Sequence, residues 1–248
     1  MPNERLRAAL LEHGLTPSDL ADRIGVDHKT VERWVAGRAP YRKHRYMVAG
    51  ILRKDEEYLW PGALTREQVT AASDSELLAI YPHRSDVPRD TWMQLFTSAE
   101  REIGVLVYAG LFLSEDAVLR RVLADRSRAG VRLRILLGDP DSPEVAQRGI
   151  DDGVGDAMAA KIRNALAMFK PLRALDGPEF RFHRTTLYNS IYYGDDQFLV
   201  NTHVYGVTAA GNPVWYLRKV PGGEIASTYL TSFERVWETG TPIPGPDA

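Results

Sequence analysis

Three short amphipathic runs open the chain. In NERLRAALLEHG, Leu6, Ala9 and Leu10 recur at helical spacing and the run stops at Gly14. In LTPSDLADRIGV the apolar side is Leu20, Ala21 and Ile24. Thr16 stands where a cap belongs, Pro17 suits the first helical position, Asp19 favours the positive end of the helix, and Gly25 ends it. In DHKTVERWVAGRAP, Asp27 is the cap, Val31, Trp34 and Val35 share a face, and Gly37 closes the run. The pattern predicts two short helices around the turn Gly25-Val26-Asp27, where glycine lets the chain change direction without a Cβ clash and the small Ala21 allows close approach. That is a helix-turn-helix arrangement. Its second helix leaves His28, Lys29, Thr30, Glu32 and Arg33 off the apolar side, donors and acceptors suited to base edges and phosphates in a major groove. Thr16 and Ser18, at the start of the first helix of the pair, are counted with them. GRAPYRKHRY adds Arg38, Arg42, Lys43 and Arg45 for backbone contacts.

Beyond residue 60 the pattern changes. Residues 61–90 carry prolines at 61, 82 and 88 and read as a connector with a short helix at 65–73. Within it SELLAIYP is either a strand or the edge of the next domain. Tyr81, His83 and Arg84 read as solvated loop residues rather than a binding cluster. From residue 91 the order is helix (TWMQLFTSAEREI), a strand without alternation (IGVLVYAG), and an amphipathic helix capped by Ser114 and ended by Gly130. A strand (VRLRILLGD) and a second crossover helix (DAMAAKIRNALAMFKPL) follow, then four β-rich runs, EFRFHR, TLYNSIYYGD, QFLVNTHV and NPVWYLRKV. EIASTYLTSFERVWETG is a final helix. This order predicts an α/β sandwich with a mixed sheet behind an all-α domain. A strand as apolar as VLVYA expects helices on both faces. The expected organisation is an all-α domain at 1–60, a connector at 61–90, the α/β domain at 91–242 and a tail at 243–248.

Composition narrows the function classes. Of the 248 residues, 44% are hydrophobic and 26% charged, as in ordinary globular proteins. The net charge of −2 divides unevenly: residues 1–60 hold 11 Lys and Arg against 9 Asp and Glu, the remainder 20 against 24. The sign is that expected if the N-terminal piece touches phosphate. With no cysteine, disulfides and thiolate metal sites are excluded. No apolar run approaches the ~20 residues of a membrane helix. The opening stretch, charged and amphipathic, does not read as a secretory signal. A cytoplasmic protein with no membrane partner, no metal and no cofactor is the expectation.

Two family resemblances sharpen this. LTPSDLADRIGVDHKTVERWVAGRAP resembles the Xre/Cro-repressor type of DNA-binding domain, over residues 4–60, with MVAGILRKDEEYLW as the closing helices. That family often has glutamine where this chain has Pro17 and Ser18. The resemblance implies double-stranded DNA as partner, read as a two-fold operator by a homodimer. The second half, through its element order, ADRSRAGVRLRILLGD and FERVWETGTPI, resembles the phospholipase D superfamily over residues 92–242. Its hallmark is His-x-Lys-x-x-x-x-Asp followed by a strand ending in Gly-Ser. Laid on YNSIYYGDDQFLVNTHVYG, the aspartate is Asp195, the lysine slot holds Ser190, the histidine slot Tyr188 and the Gly-Ser pair becomes Asn201-Thr202.

Starting instead from His183 puts Thr185 and Ser190 in the partner slots. Neither register restores the catalytic set, so the resemblance implies a body without that chemistry. A tyrosine, ordinarily titrating near ~10, replaces a histidine poorly, and a serine cannot neutralise phosphate. What the resemblance leaves is a cleft whose floor holds Tyr188, Ser190, Asp195, Asn201, Thr202 and His203, with Arg181, Arg184 and His183 on the neighbouring run. Such groups suit a small polar or anionic ligand. Asp195-Asp196 reads equally as a hairpin tip, and His203 as a structural histidine. The leading expectation is a transcriptional regulator with a dimerising sensor body. A phosphodiesterase working through His183 or His203, and an antitoxin-like repressor that holds a protein effector, stay open beside it.

Overall fold

The computed structural model describes residues 2–61 and 73–245. The chain forms two compact units, one of residues 1–75 with 220–223, the other of 76–219 with 224–248.

The first unit is all helical: α1 (Glu4–Glu12), α2 (Pro17–Ile24), α3 (His28–Val35), α4 (Arg42–Leu52) and α5 (Glu56–Leu59). Its local chemistry sets the boundaries. Thr16 and Asp19 form a reciprocal capping box on α2, Pro17 takes the first helical position, and Gly25 ends the helix at φ 71°, a conformation that carries a steric cost for a side chain with Cβ. Asp27 caps α3 by accepting from the Lys29 N–H at 2.9 Å. Leu6, Leu20, Val31, Val48, Leu52 and Leu59 are fully buried and pack with Trp34 and Trp60. Each such aliphatic side chain contributes roughly 1.5–3 kcal/mol. Arg45 belongs to this interior and not to a phosphate-contacting surface: its Nε pairs with Glu56 Oε1 at 2.5 Å and its Nη1 donates to the Pro40 carbonyl at 2.9 Å. Position decides this, since Arg45 falls on the inner side of α4, one helical turn before the core residue Val48.

The second unit is an α/β body. In chain order it contains β1 (Leu77–Tyr81), a 3-10 turn (Arg84–Asp86), α6 (Arg89–Thr97), β2 (Glu102–Leu106), α7 (Leu111–Glu115), α8 (Ala117–Arg128) and β3 (Arg132–Gly138). Then come α9 (Pro143–Asp151), α10 (Ala157–Met168), α11 (Lys170–Arg173), β4 (Glu179–His183), β5 (Asn189–Gly194), β6 (Gln197–Thr202), β7 (Val214–Arg218), α12 (Ile225–Thr239) and β8 (Thr241–Pro242). One mixed eight-stranded sheet runs in the order β1-β7-β6-β5-β2-β3-β4-β8. The strands β2, β3 and β4 are parallel and joined by helical crossovers. The strands β5, β6, β7 and β1 form an antiparallel meander, and β5 runs antiparallel to β2. Central strands are buried along almost their whole length, the burial expected of a sheet covered on both faces.

Several expectations change here. Residues 77–81, read within a connector as either a strand or the edge of the next domain, form an edge strand paired with β7. The cap of α8 is Asp116, whose carboxylate accepts from the N–H groups of Val118 and Leu119. Ser114 is buried two residues earlier, within α7, its hydroxyl donating to the Leu111 carbonyl. The helix from residue 91 stops at Thr97, because residues 102–106 are taken into the sheet. The helix α9 was not expected, although Ser142 as cap and Pro143 at the first position announce it. The segment read as a tail begins with Ile243 donating to the Phe180 carbonyl. The short helix expected at 65–73 lies almost wholly outside the described residues.

At the middle of the sheet, the buried Arg134 of β3 is held by Glu102 of β2, Glu234 of α12 and the Tyr193 hydroxyl of β5. The Tyr193 ring lies flat over Gly104, where a Cβ would stand 1.9 Å from its Cε1. Burial, and then the adjacent Glu102 carboxylate, hold the Tyr193 hydroxyl well above its ordinary range.

Candidate functional site

Two surfaces collect the polar chemistry, one in each unit. In the first, α3 keeps Val31 and Trp34 in the core, which turns His28, Lys29, Glu32 and Arg33 to solvent. Thr30 is half-buried. Ser18, Arg38 and Lys43 are exposed. Thr16 is exposed too, but its hydroxyl is engaged in the capping box, donating to Asp19 Oδ2 at 2.6 Å. Arg42 opens α4, and its side chain lies outside the described part.

In the second unit a cavity of about 270 Å³ lies beyond the carboxyl end of β2, with Val107, Tyr108 and Gly110 in its wall. Ligand crevices of α/β sheets form beyond strand ends of this kind. Because β5 runs antiparallel to β2, it delivers Ser190 to this end of the sheet. The hairpin then returns His203 beside it, with Ser190 Oγ 3.0 Å from His203 Nε2. His203 Nδ1 is 3.1 Å from the Leu187 carbonyl, which can only accept, so Nδ1 carries the proton and Nε2 accepts from the serine. Burial, with the Arg148 charge adding to it, lowers the His203 pKa to about 4. Tyr192, buried two residues beyond Ser190, also lines the cavity, and burial raises its pKa.

Three cations reach the same cavity: Arg84 from the 3-10 turn, Arg148 from α9 and Lys161 from α10. Arg148 is paired with Asp152 at 2.9 Å. Burial pushes the Asp152 carboxyl up, against the pull of Arg148. Arg84 lies over the Phe112 ring, 4.1 Å from its centre. The sequence reading left Arg84 with the solvated residues and did not single out Arg148 or Lys161. An i, i+4 Arg–Asp pair on α9 was the only local signal. His83, by contrast, is exposed, bonded to the Gly211 carbonyl at 2.9 Å.

Of the residues expected on one cleft floor, Ser190 and His203 meet. Asn201 is directly across the ladder from Ser190, fully buried, its amide donating to the carbonyls of Asn212 and Pro213. Thr202 bonds the Pro213 carbonyl, and Tyr188 is 80% exposed. Asp195 stands at the opposite end of β5, in the two-residue hairpin turn, at φ 51°. Its carboxylate accepts from the N–H groups of Glu100, Arg101 and Glu102 at 2.8–3.0 Å. Burial raises its pKa, and these bonds with the Arg101 charge outweigh that, leaving it below the ordinary range. Asp195 therefore has a structural task, tying the hairpin to the start of β2. His183 is buried on β4, with Nε2 3.1 Å from the Val107 carbonyl, and burial lowers its pKa to about 4. Arg181 donates to the Trp237 carbonyl and stacks on that ring, and Arg184 pairs with Asp139.

Among the described residues no group of three or more His, Asp or Glu is placed to hold a metal ion. No helix among them is long and apolar enough to cross a membrane.

No family model matches the sequence, and no curated protein matches it. Solved structures similar to this chain include TrmBL2, an archaeal chromatin protein described as showing a novel mode of DNA binding, at 13% identity and a TM-score of 0.43. That match covers 82% of this chain and 62% of that chain, so the present chain spans under two thirds of its length. Another is a phospholipase D family member, Nuc from Salmonella typhimurium, at 14% identity and a TM-score of 0.37, covering 62% of this chain and 90% of that one. Likeness at this level is too slight to assign a fold or an activity, and the reading below rests on this chain's own residues.

Proposed function

We propose that this chain is a sequence-specific DNA-binding transcriptional regulator. It acts as a homodimer of Xre type, and its degenerate phospholipase D-like body binds a small polar ligand without cleaving phosphodiesters. The observation that carries the reading is the pair α2–α3. Both helices are capped by their own side chains, a three-residue turn joins them, and the outward side of the second bears His28, Lys29, Glu32 and Arg33. A short recognition helix of this kind enters a major groove by its N-terminal residues, and two half-sites ~34 Å apart ask for a two-fold dimer. Anisotropy titration of labelled duplex from the chain's own promoter region tests this. Affinity should fall as salt rises, and Lys29→Ala should reduce the slope of log affinity against log salt by about 1. Absent or salt-independent binding overturns it.

One observation favours a second reading, an enzyme: the contact between Ser190 and His203. A histidine held near a pKa of about 4 is a weak general base at neutral pH, which supports binding over catalysis. Hydrolysis of a generic phosphodiester that disappears in His203→Ala would reverse this preference.

A further inference from the structure

We infer that the cavity beside Ser190 takes a small hydroxylated anion, its charged group meeting Arg84 and Lys161 and one of its hydroxyls donating to Ser190 Oγ. The inference deepens the proposed sensing role and rests on it. Volume sets the size. About 270 Å³ lies at the small end of the range of ligand cavities, which suits a small molecule.

Charge sets the anionic group. Of the three cations, Arg148 is neutralised by Asp152. Arg84 and Lys161, both half-buried, make no ion pair among the described residues, and the remaining carboxylate in the wall, Glu115, is exposed at the rim. Two partly desolvated cations converging from separate elements favour an anion, and an arginine fork with a lysine suits a carboxylate or a phosphate monoester.

Hydrogen accounting sets the neutral group. The Leu187 carbonyl commits the His203 proton to Nδ1, so Nε2 takes the Ser190 hydroxyl proton. Ser190 Oγ is then left with lone pairs only, one of them meeting the hydroxyl of Tyr192 and the other open to a ligand. An anionic oxygen is repelled there, whereas a ligand hydroxyl donates. The cations and Ser190, with Arg84 and Ser190 both beside the Tyr192 hydroxyl, therefore ask for opposite groups on one small molecule.

Calorimetry on the full chain with four probes tests this: inorganic phosphate, glycerol, glycerol 3-phosphate and glycerate. Glycerol 3-phosphate or glycerate should bind more tightly than phosphate and than glycerol, and the tighter of the two tells phosphate from carboxylate recognition. Lys161→Met should weaken the bound anions about tenfold, the order of one charge-assisted hydrogen bond. Ser190→Ala, a small change in a buried position, should bring the hydroxylated anion down to the affinity of phosphate and leave phosphate unchanged, which also shows the variant folded. No anion binding, glycerol binding as well as glycerol 3-phosphate, or an intact preference in Ser190→Ala overturns the inference. Ligand binding with no change in duplex affinity upholds the ligand class and removes the sensing role. No ligand binding with duplex affinity intact removes the ligand class alone.

Discussion

Asp195 is the residue at which a catalytic and a structural reading compete most directly, and its three backbone hydrogen bonds decide between them. Asp195→Ala leaves three N–H groups without their acceptor. It should cost roughly 1–3 kcal/mol in urea unfolding and leave duplex affinity unchanged. A neutral effect on stability would return Asp195 to the functional candidates. The two buried histidines predict a pH dependence. Burial lowers the pKa of His183 and His203 from about 6.5 in the unfolded chain to about 4 in the folded one, so the unfolded chain binds protons first as pH falls. Their contribution is complete above about 6.5 and is lost between there and about 4, at a slope of about 1.4 kcal/mol per pH unit for each group. Unfolding midpoints across that window should fall accordingly, and His203→Gln should flatten part of the slope. Caps such as Thr16 and Asp27 were legible because they act over two or three residues. The convergence of Arg84, Arg148 and Lys161 was not, because it depends on three elements distant in sequence meeting at one strand end.

At the level of elements, the central strands were readable from continuous apolar runs, which a sheet covered on both sides demands. The strand β1 was legible only as one alternative inside the expected connector. At the edge of the sheet it leaves Leu77, Leu78 and Ile80 largely exposed, and a register shift between Leu77 and Ala79 breaks its pairing with β7, so neither burial nor alternation marks it. The helix α12 depends on a similarly distant partner. The buried Glu76 accepts from the Ile225 and Ala226 N–H groups at 2.9 Å and serves as its N-terminal cap. The sheet's internal tie is Arg134, which joins β3 to β2, β5 and α12. Arg134→Met leaves the partly exposed Glu102 and Glu234 carboxylates without their partner and should destabilise the body by roughly 1–3 kcal/mol, read by urea unfolding. An unchanged midpoint would mean the cluster adds nothing to stability.

For the whole molecule, the proposed regulator is a pair of chains, each with a duplex-binding unit and a ligand-binding one. Light scattering at micromolar concentration should give twice the chain mass, and a monomer there would contradict the homodimer. The central claim is that the outward side of α3 reads duplex DNA. Its most direct measurement is the affinity of the full chain for its own promoter duplex across a salt series, beside Lys29→Ala and Arg33→Ala. Binding should be saturable, weaken steeply with salt and be reduced in both variants, with the stability of the fold unchanged. Binding that ignores salt, or variants that bind as the natural chain does, would contradict it.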